Sequence, residues 1–175
     1  MTRVRALLTA LDAVDRVAFT RLVRARPRRL EPAIAQIADA GRGAFLWLAP
    51  ALVLRATGRP LPLARFAATT WGAYAGSVTL ARAVGRRRPF EDCEVDVLIA
   101  RPNGPSFPSD QVVAAFAALP LLAAAGRGGP AYAVAATALA ASRVLAGVHY
   151  PGDVLAAAAL GTAVGRLARQ GRACE

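Results

Sequence analysis

The 175-residue chain contains no lysine, and all 22 of its basic residues are arginines. Any binding site that needs a cation must therefore use a guanidinium group. The chain has one histidine, His149, and two cysteines, Cys93 and Cys174. The cysteines match neither the spacing of a metal site nor that of a redox pair. The sequence therefore predicts no metal site and no cofactor.

Long apolar runs are also missing, since none reaches the ~20 residues that a helix needs to cross the hydrocarbon core of a bilayer. The hydrophobic content is nevertheless 55%, above the roughly 45–50% of soluble domains. Arginine side chains at the ends of short apolar helices can extend their reach by snorkelling. Five charge-free runs of 12–16 residues follow one another at 43–54, 66–81, 112–126, 128–142 and 154–165. Taken singly, each run also fits a soluble helical core, but five in succession predict an all-α membrane bundle of about five to six helices.

The arginines are clustered between the apolar runs, as in segments that flank membrane helices. Nucleic-acid binding would require basic residues on one face together with groove-reading elements. The net charge of +11 therefore favours a membrane surface or an acidic substrate, and we expect no nucleic-acid partner. The clusters are Arg24, Arg26, Arg28 and Arg29; Arg55, Arg59 and Arg65; Arg86, Arg87 and Arg88; and Arg166, Arg169 and Arg172.

The N-terminal part, residues 1–42, differs from the rest of the chain. Apolar residues recur at near-helical spacing over 3–24 and predict an amphipathic helix at an interface. Asp12 and Asp15 interrupt its apolar stretch, so we expect no signal peptide here. A second short amphipathic helix is expected over 30–40, ending at Gly41. We treat residues 1–175 as one domain, with residues 43–168 as its helical core.

The candidate reactive residue is His149, in the stretch SRVLAGVHYPGD at 142–153. Alone, it would be interpreted as a capping or interfacial histidine. Asp153 follows it across a Pro-Gly turn, and a carboxylate on one ring nitrogen leaves the other free to attack. Arg143 in this stretch, Arg88 in GRRRP and Ser109 in PSFPSDQ add guanidinium donors and the N-cap of a helix, which are the groups that bind phosphate.

These stretches resemble the signatures of the type-2 phosphatidic acid phosphatase and vanadium haloperoxidase superfamily, which are K-x(6)-R-P, P-S-G-H and S-R-x(5)-H-x(3)-D. The third is complete here as Ser142, Arg143, His149 and Asp153, and the resemblance covers about residues 66–165. It implies in-line attack on phosphorus by His149, with Asp153 orienting the imidazole. It also implies that Arg88, Arg143 and Ser109 hold the phosphoryl oxygens without a metal.

The first two signatures are incomplete. Ala81 stands where the family has lysine, although the neighbouring Arg82 could reach the same phosphate oxygen from about 100° further around a helix. Gln111 stands where the family has the histidine that protonates the leaving group. Glutamine cannot donate that proton, and general acid catalysis is typically worth ~10²–10⁴ in rate.

The loss of this acid leaves an inactivating substitution, a catalytically silent lipid-phosphate binding protein, or an enzyme whose leaving group needs no acid. A phosphate monoester, with a second pKa of about 6, can depart from a diphosphate largely unaided. Asp110 stands where the family has glycine, and this variant resembles bacterial undecaprenyl diphosphate phosphatases. Asp110 would donate a proton only if burial raised its pKa, and a helix N-terminus favours its anion.

We therefore predict an integral membrane phosphatase of a bacterial-type cell membrane, acting on a lipid phosphate or diphosphate, with undecaprenyl diphosphate as the expected substrate. An active site on the outer face would leave several of the arginines on the inner face, in agreement with the positive-inside tendency. These are Arg55, Arg59, Arg65, Arg127 and the cluster at 166–172.

Overall fold

The computed structural model describes residues 2–126 and 128–170, with side chains described from residue 10 onward. Arg127, Arg172 and Cys174 lie outside the described residues. The described residues form helices joined by loops and contain no strand, which confirms the all-α prediction. The helices are α1 (Thr2–Arg24), α2 (Glu31–Ala40), α3 (Leu48–Ala56), α4 (Leu63–Val84), α5 (Pro89–Asp92), α6 (Asp110–Ala125), α7 (Gly129–Leu145) and α8 (Pro151–Gln170).

Helix α6 is the centre of the bundle and packs against α8, α4 and α7. It is apolar on all sides, and its buried residues run almost continuously from Gln111 to Ala118, as expected of a helix enclosed by others. Gly161 and Gly165 of α8 lie directly against the carbonyl oxygens of Val113 and Ala117 in α6. A Cβ at either glycine would clash with that backbone, so these small residues allow the two helices to approach closely.

The predicted helical run at 43–54 is broken, and this part of the prediction was wrong. Residues Arg42–Trp47 form a 3-10 segment in which Gly43 and Ala44 have φ of 65° and 63°. Such left-handed backbone interrupts an α-helix and is most easily adopted by glycine. Helix α3 therefore begins only at Leu48.

No helix among the described residues is both long and apolar enough to span a membrane alone. One pair, Arg28–Ala40 with Arg42–Ala56, passes the same test jointly, by length and composition only, with a bend of 70° between its halves.

Helix α1 confirms the expected N-terminal helix, and it contacts α7 and α8. Phe19 is its buried anchor, at 1% exposure, and packs edge-on against Tyr150 with 5.4 Å between ring centroids. Burial of a side chain of this size contributes about 1.5–3 kcal/mol. Leu11, Val14 and Val17 remain exposed on α1. The apolar residues of α1 are therefore divided between Phe19, which packs against the bundle, and these three exposed positions.

Candidate active site

The three motif stretches meet at one end of the bundle. Helix α4 ends at Val84 and is capped by Gly85, whose φ of 68° is the left-handed conformation that often terminates helices. The chain then crosses to α6, and the amide of Ser106 donates to the Arg86 carbonyl at 2.8 Å. The amide of Ser109 donates to the Asp153 carbonyl at 3.4 Å. These bonds connect the first and second motifs to the start of α8.

His149 lies in the turn between α7 and α8 and is 1% exposed. Its Nδ1 is 2.8 Å from the carbonyl oxygen of Ser106. A carbonyl only accepts hydrogen bonds, so the proton belongs on Nδ1 and the lone pair on Nε2. Arg88 Nη1 lies 3.2 Å from Nε2. The nitrogen available for attack therefore faces the first motif.

Asp153 stabilises the turn that carries His149. Its Oδ2 is 3.7 Å from His149 Nδ1, beyond ordinary hydrogen-bond distance, and accepts from the Tyr150 amide at 2.9 Å. Its Oδ1 contacts Arg86 Nη1 at 2.6 Å. The direct partner of Nδ1 is thus the Ser106 carbonyl, which sequence reasoning missed because a backbone oxygen leaves no signal in residue type.

Arg88 is held by backbone groups rather than by acids. Its Nε donates to the Gly104 carbonyl at 2.8 Å and its Nη1 to the Val148 carbonyl at 3.0 Å. No described carboxylate lies within ion-pair distance of it. Burial lowers the pKa of Arg88 from its ordinary value, yet a guanidinium stays charged at neutral pH. It therefore presents an unneutralised positive charge beside His149.

Three other predicted residues carry buried polar atoms without a hydrogen-bond partner. They are the Oγ of Ser109, the Nε of Arg143 and the Oε1 of Gln111. Ser109 is the N-cap residue of α6, as predicted, but its hydroxyl makes no capping bond. Arg143 donates from Nη1 to the Ala38 carbonyl at 3.1 Å. An unmatched buried polar atom costs about 1–3 kcal/mol, and the Oγ of Ser109 and the Nε of Arg143 can each donate to an acceptor.

A cavity of about 220 Å³ opens beside His149. Four predicted site residues are on its wall: Arg82, Arg88, Asp110 and His149. Its other lining residues are Val78, Ala81, Asn103, Gly104, Pro105 and Pro108. Ser109, Arg143, Gln111 and Asp153 are not among the lining residues. Gln111 extends toward Gly41, where an added Cβ would lie 3.1 Å from its Oε1.

The protonation of His149 follows from its surroundings. Burial lowers the pKa of His149 below its ordinary value, the nearby Asp153 opposes this, and the charges of Arg143 and Arg88 lower it further. The imidazole is therefore neutral at neutral pH, which is the form a nucleophile requires. No cluster of three metal-ligating side chains occurs in the part of the chain that the structure describes.

Sequence reasoning also missed Arg86, which lies behind Asp153. Its guanidinium contacts Asp153, Asp12 and Asp15 at 2.6–2.8 Å and lies 4.4 Å from the Tyr150 ring centroid. Burial lowers the pKa of Arg86, but the three carboxylates outweigh this and raise it. The acids of α1 carry no motif, so their approach to the site required the tertiary structure.

Residues 62–173 match the sequence model of the PAP2 superfamily, and the chain belongs to this superfamily. The decaprenylphosphoryl-5-phosphoribose phosphatase of Mycobacterium tuberculosis is 39% identical over 95 residues, which are 54% of this chain and 52% of that protein. The enzyme of the same name from Mycolicibacterium smegmatis is 40% identical over 83 residues, covering 47% of this chain and 45% of the relative. The chain thus spans about half the length of the curated relatives it matches.

Two solved structures share the fold. Aquifex aeolicus LpxE superposes with a TM-score of 0.72 and 23% identity, covering 87% of this chain and 93% of that one. The transmembrane PAP2-type phosphatidylglycerolphosphate phosphatase of Bacillus subtilis superposes with a TM-score of 0.71 and 20% identity, covering 94% of this chain and 87% of that one. These matches and the family assignment confirm the resemblance carried by the three motifs and the helical fold predicted from the apolar runs.

Proposed function

We propose that the protein is a membrane lipid phosphatase in which His149 is the nucleophile. The observation that best supports this proposal is that the unprotonated Nε2 of His149 faces Arg88, which has no carboxylate partner, beside a cavity. The nitrogen attacks phosphorus while the bond to the leaving oxygen breaks. Water then attacks the phosphohistidine, breaks the phosphorus–nitrogen bond and releases inorganic phosphate.

Charge stabilisation falls to the arginines and Ser109. Arg88 donates from beside Nε2, and Arg143 and Ser109, which do not line the cavity, have an unpartnered Nε and Oγ that can serve as further donors. Preorganised donors of this kind stabilise the charge that develops on phosphoryl oxygens in the transition state. Asp153 holds the turn that carries His149, and Arg82 on the cavity wall assists from the position next to the missing lysine.

For the substrate, we propose the terminal phosphoryl group of a polyprenyl diphosphate, with undecaprenyl diphosphate as the first candidate. Gln111 cannot donate a proton and is absent from the cavity wall. Asp110 is on that wall, in the first turn of α6. A leaving group that departs as a phosphate monoester suits a site without a strong acid.

A second candidate substrate is a polyprenyl phosphosugar that carries a terminal phosphate. The mycobacterial relatives are named for such a lipid, decaprenylphosphoryl-5-phosphoribose. Its leaving group is a sugar hydroxyl, which needs a proton more strongly than a phosphate does. The two candidates therefore differ in how strongly they depend on an acid near the leaving oxygen.

For the location, we propose a membrane with the active site at the outer surface. The apolar composition, the arginine clusters and the lipid substrates in the names of the relatives support this placement. The bent pair α2–α3 and the other apolar helices would then be embedded together as a bundle.

The test is phosphate release by the full chain in detergent micelles, measured side by side on three lipids. These are undecaprenyl diphosphate, decaprenylphosphoryl-5-phosphoribose and phosphatidic acid, with His149→Gln as the inactive control. We expect the highest kcat/KM on the diphosphate and no turnover by the control. Faster release from phosphatidic acid would refute the leaving-group argument.

A trapping experiment separates this enzyme from a silent lipid-phosphate binding protein. Because His149 is the only histidine, a labelled phosphohistidine can form at one position only. We expect an adduct that survives alkali, is lost in acid and is absent from His149→Gln. Binding of vanadate or lipid phosphate without any adduct would favour the silent protein.

A further inference from the structure

Helix α1 supplies two carboxylates to the back of the site. Asp12 and Asp15 lie about one helical turn apart, and both contact Nη2 of Arg86, at 2.7 and 2.8 Å. Nη1 of the same guanidinium contacts Oδ1 of Asp153 at 2.6 Å. A guanidinium is a rigid planar fork, so engagement of Nη2 by α1 determines which nitrogen is presented to Asp153.

Asp15 also contacts the end of the turn between α7 and α8 that carries His149, which we call the catalytic turn. Its Oδ1 accepts from the amide of Gly152 at 2.7 Å, one residue before Asp153. Gly152 lies in the first turn of α8, where free amides and the helix dipole favour a carboxylate. A Cβ at Gly152 would lie 2.7 Å from Oδ2 of Asp15, so a larger residue there would displace this acid.

Neighbouring contacts hold α1 in this position. Phe19 packs against Tyr150, the residue after His149. Arg16 contacts Asp92 at 2.9 Å and Asp12 at 2.7 Å. Helix α1 lies outside the residues that match the PAP2 sequence model, which begin at 62. The support behind Asp153 therefore comes from a part of the chain that the family match does not include.

We propose that Asp12 and Asp15 are positioning residues for the reaction, acting through Arg86 and the Gly152 amide on Asp153 and the turn of His149. The proposal rests on the proposed phosphatase function. Neither acid lines the cavity, so the substrate site itself does not depend on them. Their loss frees Nη2 of Arg86, which allows the guanidinium to rotate on Asp153 and changes the orientation of the turn.

The first test compares Asp12→Asn, Asp15→Asn and the combined variant with Glu94→Gln, which removes an exposed acid in the joint between α5 and α6. All four are assayed as the full chain in micelles on the best lipid substrate. We expect the combined variant to lose about tenfold in kcat, within the range of couplings between contacting residues, with KM changed less than about twofold. Glu94→Gln should match the unmodified protein, and an equal response of both variants would overturn the proposal.

A double-mutant cycle separates positioning from general stability. In an Asp153→Asn background, the α1 substitutions should change kcat less than about twofold, because the residue through which they act is already altered. Fully additive losses would contradict the proposal. If the combined variant shows no cooperative thermal unfolding, Asp15→Asn alone replaces it in the cycle, since Asp12 and Phe19 still hold α1.

The single histidine provides a readout that does not require activity. With histidine labelled with ¹³C at Cε1 only, the protein gives one imidazole signal, which should shift in the combined variant at constant pH and not in Glu94→Gln. An unmoved signal would refute positioning even if turnover fell. Absence of turnover by the unmodified protein on all lipids would instead count against the phosphatase function, while the signal would still test the contact between α1 and the catalytic turn.

Discussion

The two sides of His149 are built from the same residue type but carry opposite electrostatic character. On the cavity side, Arg88 donates to two backbone carbonyls and lies 3.2 Å from Nε2 of His149, with no described carboxylate in contact. On the rear side, Arg86 is surrounded by three carboxylates. Arg86 and Arg88 are two positions apart in one short stretch. The placement of acids, rather than of arginines, therefore decides which cation is available to a phosphate.

Removal of the cavity-side cation should have the largest effect. We expect Arg88→Ala to lower kcat/KM by about 10²–10³, the magnitude typical of losing one transition-state donor. Arg87→Ala is the matched control, because Arg87 is exposed and paired with Glu91 and Asp92. The kcat/KM of both variants is obtained from initial rates of phosphate release from the diphosphate lipid. Equal losses from the two variants would show that the stretch acts only through its total charge.

Replacing Gln111 with the histidine that the family has at this position should change the chemistry on the cavity side of His149 and leave the contacts of Arg86 on the rear side unchanged. We expect Gln111→His to raise kcat on phosphatidic acid by about tenfold, below the ~10²–10⁴ of a well-placed acid, because residue 111 extends toward Gly41 rather than into the cavity. Turnover of the diphosphate should change little. A larger gain on the diphosphate than on the monoester would contradict the leaving-group interpretation.

Acidification tests the charge balance around His149. Burial and the charges of Arg143 and Arg88 lower the pKa of His149 in the folded state, while the unfolded chain has the ordinary value of about 6.5. The unfolded state therefore binds more protons as pH falls below about 6.5, and stability falls by up to about 1.4 kcal/mol per pH unit until the folded-state pKa is reached. Thermal unfolding between pH 7 and 5 should show this slope.

His149→Gln is the control, because without the imidazole the decrease of stability between pH 7 and 5 should lose the contribution of His149. A slope identical to that of the unmodified protein would assign the acid sensitivity to other groups, such as the rear carboxylates.

The smallest effect is expected at the edge of the cavity. Arg82 is exposed and lines the wall, and an exposed ionic contact is worth about 0–1 kcal/mol. Arg82→Gln should therefore raise KM by at most about fivefold and leave kcat unchanged at low salt. Arg65 lies in the first turn of α4, at the opposite end of the helix from Arg82, so a fivefold effect of Arg65→Gln would point to bulk surface charge instead.

Much of this site was predictable from local pattern. Ser109 is the N-cap of α6, Arg82 and Asp110 line the cavity with His149, and the helices α1 and α2 lie where apolar spacing placed them. The break at Gly43 and Ala44 was not predictable, because an uncharged run fits a continuous helix as well as a kinked one. The closeness of Asp153 to Arg86 rather than to Nδ1 was not predictable either, since spacing along the chain does not specify which atoms meet.

The amino-acid sequence by itself determined the helical architecture and singled out His149 as the candidate nucleophile, because apolar periodicity and a motif of fixed spacing are local properties. Only the tertiary structure decided that the Ser106 carbonyl holds Nδ1 and that the acids of α1 neutralise Arg86. Those contacts join residues from 43 to 74 positions apart. Chain folding alone brings such groups together, and electrostatic interactions depend on distance in space rather than along the chain.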